Sequence, residues 1–170
     1  CVPIHRLCDN KRLDDAAALE ILTLFVEKCP ESIRHANSDG NLPIHLACGR
    51  GGKSPEFCRT LIEAYLGSEQ MANIRGVLPF HHACLDGTVA TAEYLYKLYP
   101  DAINMVDERG WYPIRYAIAG IGKRNDPTTA IEMVRFLLDC DKISLREKDN
   151  DGCVPLHYLC NEENIDDAIS

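Results

Sequence analysis

Three sets of residues in this chain could do chemistry. The first is the stretch Ala47-Cys48-Gly49-Arg50-Gly51-Gly52-Lys53-Ser54. It holds the ingredients of a phosphate cradle: glycines that let backbone N–H groups converge, a lysine and a hydroxyl. Pro55 follows and can open a helix whose N-terminus would face an anion. A nucleotide-hydrolysing loop leaves a β-strand, however, whereas this stretch leaves a short helical pattern, and no apolar strand ending in a metal-binding Asp is visible. Weak anion binding by Arg50, Lys53 and the helix end is the milder reading. The second set is His and Cys three residues apart: His5/Cys8, His45/Cys48, His81/Cys84 and His157/Cys160. Such pairs share a helix face and could each supply two zinc ligands, but a closed site needs four, and the pairs lie in separate segments. The same residues could form a nucleophile and base, yet nothing evident orients the imidazoles, and buried thiols are inert. The third set is the carboxylate pairs Asp14-Asp15 and Asp166-Asp167. They could work as acid and base, but at a helix start they complement its dipole. The residues therefore predict no enzyme, no cofactor and no metal site.

Composition narrows the class. The chain has 170 residues, of which 46% are apolar and 26% charged, enough for one packed domain or a short repeat array. There are 18 basic and 26 acidic residues, a formal net charge of −8. That balance lacks the positive field that nucleic acid or an anionic membrane attracts. No apolar run reaches the length of a membrane span. The cysteines number nine, an odd count, and no C-x-x-C occurs. They read as small apolar core residues in a reducing setting, which points to an intracellular, cytoplasmic protein with the nucleus open. The chain starts at Cys1 with no signal-peptide pattern and reads as an internal fragment.

The elements that would position these residues repeat. Val2-Pro3-Ile4-His5, Leu42-Pro43-Ile44-His45, Leu78-Pro79-Phe80-His81, Tyr112-Pro113-Ile114-Arg115 and Val154-Pro155-Leu156-His157 share one frame, their prolines 40, 36, 34 and 42 residues apart. A Gly stands three residues before the last four prolines, at Gly40, Gly76, Gly110 and Gly152, where a turn needs positive φ. Pro then opens a short helix. A loop follows, then a longer helix capped at Ser54, Thr88 or Asp126. Its apolar residues recur at helical spacing, as in Cys58, Leu61, Ile62 and Tyr65, and in Ile131, Val134 and Leu138. Pro30, Gly67 or Pro100 ends it, and an extended stretch leads to the next turn.

This grammar resembles the ankyrin repeat, whose signature is a Gly turn, Thr-Pro-Leu-His-x-Ala-Ala, a loop and a second helix. The resemblance covers nearly the whole chain and recurs in register. It implies an all-α solenoid of stacked helix–loop–helix repeats joined by β-hairpin-like loops. The units run over 1–35 (incomplete), 36–71, 72–105, 106–147 (with a loop insertion around Ile121 to Asn125) and 148–170 (incomplete). The family's Thr is Val2, Leu42, Leu78, Tyr112 or Val154 here, so its capping hydroxyl is replaced by an apolar side chain that can staple the turn by packing. The last Ala of the motif is Cys8, Cys48, Cys84, Ile118 or Cys160, and the motif's His is Arg115 in the fourth unit. Cys1 to Ala16 align with Cys153 to Ala168 at one offset, so both ends fall inside a repeat and further repeats are expected in the parent chain.

The family has no common catalytic residue and binds protein partners through turn tips and the short-helix face. Carried over by position, the contact sites are Ser38, Asp39 and Asn41, then Ile74, Arg75 and Val77, then Glu108, Arg109 and Trp111. Asn150, Asp151 and Cys153 follow in the last unit, and Asp9, Asn10, Gly49, Arg50, Leu85, Asp86, Asn161 and Glu162 lie at short-helix ends. Ile74, Val77, Leu85 and Trp111 would form an apolar centre with Arg75, Asp86, Glu108 and Arg109 around it, an interface core with a polar rim. Trp111 reads equally as a partner anchor and as core. The function expected is a protein-interaction scaffold without catalysis. The alternative is a regulatory or targeting segment of a larger enzyme, such as a kinase or ubiquitin ligase subunit. The acidic tips lean toward a basic partner.

Overall fold

A computed structural model describes residues 3–49, 52–121, 127–140 and 146–159. They are helical, with no β-strand among them. The helices are α1 Pro3–Cys8, α2 Asp15–Lys28, α3 Pro43–Cys48, α4 Pro55–Ala64, α5 Pro79–Asp86, α6 Val89–Leu98, α7 Pro113–Ala119, α8 Pro127–Cys140 and α9 Pro155–Leu159. The short helices pack in one row, α1 on α3, α3 on α5, α5 on α7 and α7 on α9. The long ones pack in a second row, α2 on α4, α4 on α6 and α6 on α8, and each short helix up to α7 also packs on the long helix that follows it.

A helix of six or seven residues does not survive alone in water. These survive because one face is entirely core. In α1, α3, α5 and α7 the residues one, four and five places after the opening proline are buried: Ile4, Leu7 and Cys8; Ile44, Ala47 and Cys48; Phe80, Ala83 and Cys84; Ile114, Ala117 and Ile118; in α9 Leu156 is exposed. That spacing is a single helical stripe. Pro at the first turn costs no hydrogen bond, because its N–H would be unpaired there. The long helices start on the side-chain caps the sequence suggests. Ser54 Oγ accepts from Phe57 N–H at 3.2 Å and Thr88 Oγ1 from Thr91 N–H at 3.1 Å. Asp126 lies outside the described residues.

Two expectations need correction. The long helices do not run straight into extended chain, because 3₁₀ turns intervene at Pro30–Arg34, Ser68–Gln70 and Pro100–Asn104. In α8 the inward stripe is Ala130, Met133 and Leu137, and Ile131 is 54% exposed. The two stripes have the same spacing and differ by one residue. The neighbouring helices, not the periodicity, decide which one turns inward.

Close packing of the short helices rests on glycine. A Cβ on Gly87 would stand 2.0 Å from the Cys48 carbonyl oxygen and 2.8 Å from Ala83 Cα, both fixed backbone. Gly67 also has positive φ, 83°, but open space around it. Gly87→Ala is therefore expected to destabilise the fold by about 3 kcal/mol through overpacking, and Gly67→Ala by about 1 kcal/mol through backbone strain alone. Urea denaturation of both variants checks the order; equal costs would mean that α3 and α5 can separate freely.

Candidate functional site

The turns before the short helices are built from the side chain three residues ahead of each Gly. Asn37, Asn73, Asp107 and Asp149 each turn Oδ1 onto two backbone N–H groups. Asn37 takes Asp39 and Asn41, both at 2.9 Å. Asn73 takes Arg75 at 2.9 Å and Val77 at 3.0 Å. Asp107 takes Arg109 and Trp111, both at 2.9 Å, and Asp149 takes Asp151 at 3.0 Å and Cys153 at 2.9 Å. This is Asx chemistry closing a turn. The Gly that follows holds positive φ in all four, 74° to 77°. Successive tips then bond to each other through backbone: Ile74 N–H to the Asp39 carbonyl, Glu108 N–H to Arg75, and Asn150 N–H to Arg109.

Asn and Asp differ in what is left over. Asn73 has a donor left, and its Nδ2 reaches Asn41 Oδ1 at 2.8 Å. Asp107 has an acceptor left, filled by Tyr116 Oη–H at 2.7 Å, and Asp149 Oδ2 is filled by Tyr158. Burial and that donation to the carboxylate raise the Tyr116 pKa.

The motif histidines join one turn to the next. His45 Nδ1 accepts the Leu42 N–H at 3.1 Å, and its Nε2–H donates to the Val77 carbonyl at 3.2 Å. His81 accepts from Leu78 N–H and donates to the Met105 carbonyl, both at 3.1 Å, and His5 Nε2 donates to Asn41 O at 3.0 Å. A carbonyl can only accept, so Nε2 carries the proton and Nδ1 does not. The imidazole thus supplies what the missing Thr cap does not, taking the N-cap N–H as Glu or Gln does in a capping box. Leu42 and Leu78, the apolar replacements, are buried. Burial holds the rings neutral, lowering the pKa to about 3 for His45 and about 4 for His81.

The residues that suggested chemistry are thus occupied. His5, His45 and His81 sit in bridges and Cys8, Cys48 and Cys84 in the core, where burial raises the Cys8 and Cys48 thiols, while exposed His157 takes only the Val154 N–H among the described residues. Among the described residues no group of three or more His, Cys, Asp and Glu side chains gathers as a metal set would. Lys53 overturns the anion reading. It is 3% exposed, and its Nζ donates to the Asn10 carbonyl at 2.9 Å and lies 3.5 Å from that of Leu13. Asp14 caps α2 by accepting from Ala17 N–H at 3.0 Å, and Asp15 accepts from Ser54 N–H at 3.2 Å. Arg50, Asn161, Glu162 and Asp166-Asp167 lie outside the described residues.

The structure does bring most of the expected contact residues together. A groove of about 450 Å³ runs between the tips and the short helices. Asp9, Asp39, Asn41, Arg75, Val77, Leu85, Asp86, Glu108, Arg109 and Trp111 line it, with Leu46, Asn73, His82 and Tyr116, which the contact pattern did not single out. The apolar centre is smaller than expected. Val77 is 6% exposed and Asn41 5%. Both are held where the imidazole bridges reach their carbonyls, which draws them under the tip. Ile74 is 71% exposed but outside the groove lining, as is the exposed Ser38. Leu85 is half-buried.

Trp111 is half-buried and structurally engaged. Where the other turns carry His, the fourth carries Arg115, which lies 4.4 Å from the Trp111 ring centroid and 3.4 Å from that of Tyr158. The guanidinium is stacked between two aromatic faces. Arg109 lies over Trp111 as well, at 5.1 Å. The signal for this unit was the Arg-for-His exchange together with Tyr three residues after each of its two neighbouring prolines plus Asp in both turns.

Comparison with known proteins gives a partial likeness. Over 78 residues the chain is 34% identical to "Ankyrin repeat-containing protein kinase A" of Dictyostelium discoideum. The match covers 46% of this chain and 5% of that protein. No family model matches. The likeness supports an ankyrin-repeat relationship. No helix among the described residues is long and apolar enough to cross a membrane.

Two outcomes follow. The unfolded chain binds a proton at each His near pH 6.5, whereas folded His45 and His81 do so only near about 3 and about 4. Their depressed values stabilise the fold fully above pH 6.5, and that contribution is lost as pH falls. Stability should drop by about 1.4 kcal/mol per pH unit for each of the two between pH 6 and 5. Urea denaturation at pH 7, 6 and 5 measures it, and a flat profile would contradict neutral, bridging rings. Lys53→Ala leaves the partly buried Asn10 and Leu13 carbonyls short of a charged donor and should cost about 2 kcal/mol; no loss in the same assay would place the ammonium in solvent.

Proposed function

We propose that the chain is a protein-interaction module without catalytic activity, a single ankyrin-type array over 1–170 whose units stack as a solenoid in the approximate spans 1–35, 36–71, 72–105, 106–147 and 148–170. The observation that carries this reading is the groove. Its walls come from the tips of successive turns and its floor from successive short helices, so a partner lying in it touches several units at once. The tips present exposed Asp39, Arg75, Glu108 and Arg109, side chains of both signs at the mouth of a partly apolar floor. Such a surface suits a protein partner, with polar groups setting register and the floor excluding water.

A second reading is favoured by the matched relative. That protein is named a kinase, and this likeness occupies 5% of it. The array would then be the regulatory or targeting segment of a larger enzyme and would hold a substrate or regulator for a catalytic domain elsewhere in the parent. The further expectations stand with these readings: more ankyrin repeats in the parent chain, no nucleic-acid partner and a cytoplasmic setting.

The test is affinity capture from a native extract with three baits: the parent chain, Arg75→Glu with Glu108→Arg, and Ile74→Asp. The doubled charge reversal should lose the partner at least tenfold, and Ile74→Asp, outside the groove, should keep it. Circular dichroism confirms that each bait folds. Equal capture by the parent chain and the charge-reversed bait would sink the groove reading.

A further inference from the structure

We propose that the groove takes an extended segment of a protein partner with a Lys or Arg side chain at the Asp9–Asp39 end and one backbone carbonyl on Asn41; this rests on the interaction-module reading above.

The groove has two chemically different ends. Backbone bonds between tips set Asp39 beside Ile74, and Arg75 beside Glu108, so the lining residues run in chain order along it. The far end carries charges of both signs, Glu108 and Arg109, with Trp111 under the Arg109 guanidinium. The near end carries Asp9 and Asp39, both exposed, and among the described residues no basic one lines it before Arg75. A basic side chain is the complement of that end.

Charge alone would suit any cation. Asn41 narrows the class. It is 5% exposed and lines the same end of the groove. The orientation of its amide is settled by its neighbour. Asn73 Oδ1 is committed to the Arg75 and Val77 N–H groups, so Asn73 offers its Nδ2, and the Asn41 atom that receives it is Oδ1. The Asn41 Nδ2 group is then a donor with no hydrogen-bond partner among the described residues. The residue is nearly buried but lines the groove, so this amide hydrogen-bond donor is available to a ligand acceptor there. A metal ion or a polyamine has no acceptor to give. A nucleic acid has acceptors but would bring its phosphates against Asp9 and Asp39. A peptide has a carbonyl and, on Lys or Arg, a cation within a few ångströms of each other. The groove's volume of about 450 Å³ is that of a ligand site rather than a flat contact.

The experiment uses the full chain and a positional-scanning library of heptapeptides, each position fixed in turn to every amino acid. Binding is read by fluorescence of Trp111, the chain's one tryptophan, which lines the groove. Lys and Arg should be enriched at least tenfold over Asp and Glu at one or two positions. Asp9→Asn with Asp39→Asn should remove that preference, and Glu93→Gln with Glu132→Gln, an equal charge change at exposed positions of α6 and α8 outside the groove, should leave it. Asn41→Asp keeps an acceptor for Asn73 Nδ2 and loses the donor. It should weaken binding about tenfold although it makes the groove more acidic. Thermal unfolding confirms that the variants fold. Peptides selected without a basic preference, or a preference unmoved by the Asp9/Asp39 variant, would overturn the proposal while leaving the module reading intact. Unchanged or tighter binding by Asn41→Asp would overturn the carbonyl contact. A library that yields no binder, with capture unaffected by Arg75→Glu/Glu108→Arg, would overturn both readings.

Discussion

Everything else in this fold depends on a neutral imidazole with both nitrogens spent. Its Nδ1 closes the start of one short helix, and its Nε2–H crosses to the next segment's backbone. A short helix opened by Pro has no side-chain cap at Leu42 or Leu78, and it is too short to persist by itself. The bridge supplies local closure and long-range attachment in one group. It works only if the ring is uncharged and in one tautomer, and burial among the rows of short helices enforces both. Packing, protonation and chain path are therefore one condition here rather than three.

The turns complete that condition and set the shape of the surface. An Asx side chain ties each tip to itself, and a backbone bond ties it to the next tip. Tips that might have been independent loops become a wall, and the short helices become its floor. The groove is thus a by-product of what holds the fold together. Its exposed charges, Asp39, Arg75, Glu108 and Arg109, can vary without removing a turn-closing side chain, because the turns are closed by Asn37, Asn73, Asp107 and Asp149. This division would suit the recognition role proposed above.

The element order was legible in the residues because Pro and Gly punctuate it at constant offsets, and Ser54 and Thr88 announce their helices as caps. The gathering of Arg75, Leu85, Asp86, Glu108 and Arg109 was expected from the ankyrin resemblance, carried over position by position. Other features were not legible. Periodicity could not choose between Ile131 and Ala130 as the inward residue of α8, since both stripes have helical spacing and the choice belongs to the facing helix. Val77 and Asn41 read as tip residues, and only the imidazole bridges from preceding segments explain why they lie beneath the tip. Lys53 read as a free cation because its partners, the Asn10 and Leu13 carbonyls, are some forty residues away. The Asn and Asp turn residues stood at a fixed distance from each Gly and could have been read as turn formers from the start.

Arg115 makes the array uneven along its length. The junctions sealed by His45 and His81 depend on rings that the fold keeps neutral while the unfolded chain protonates them in mild acid, whereas the one sealed by Arg115 is held by a stacked guanidinium whose charge does not change over that range. Acidification acts on the two kinds of joint unequally. The junctions at His45 and His81 would weaken first, and the contacts of Arg115 with Trp111 and Tyr158 would keep their charge. A protein made of near-copies thereby acquires a preferred place to come apart, written in one exchange of side chain.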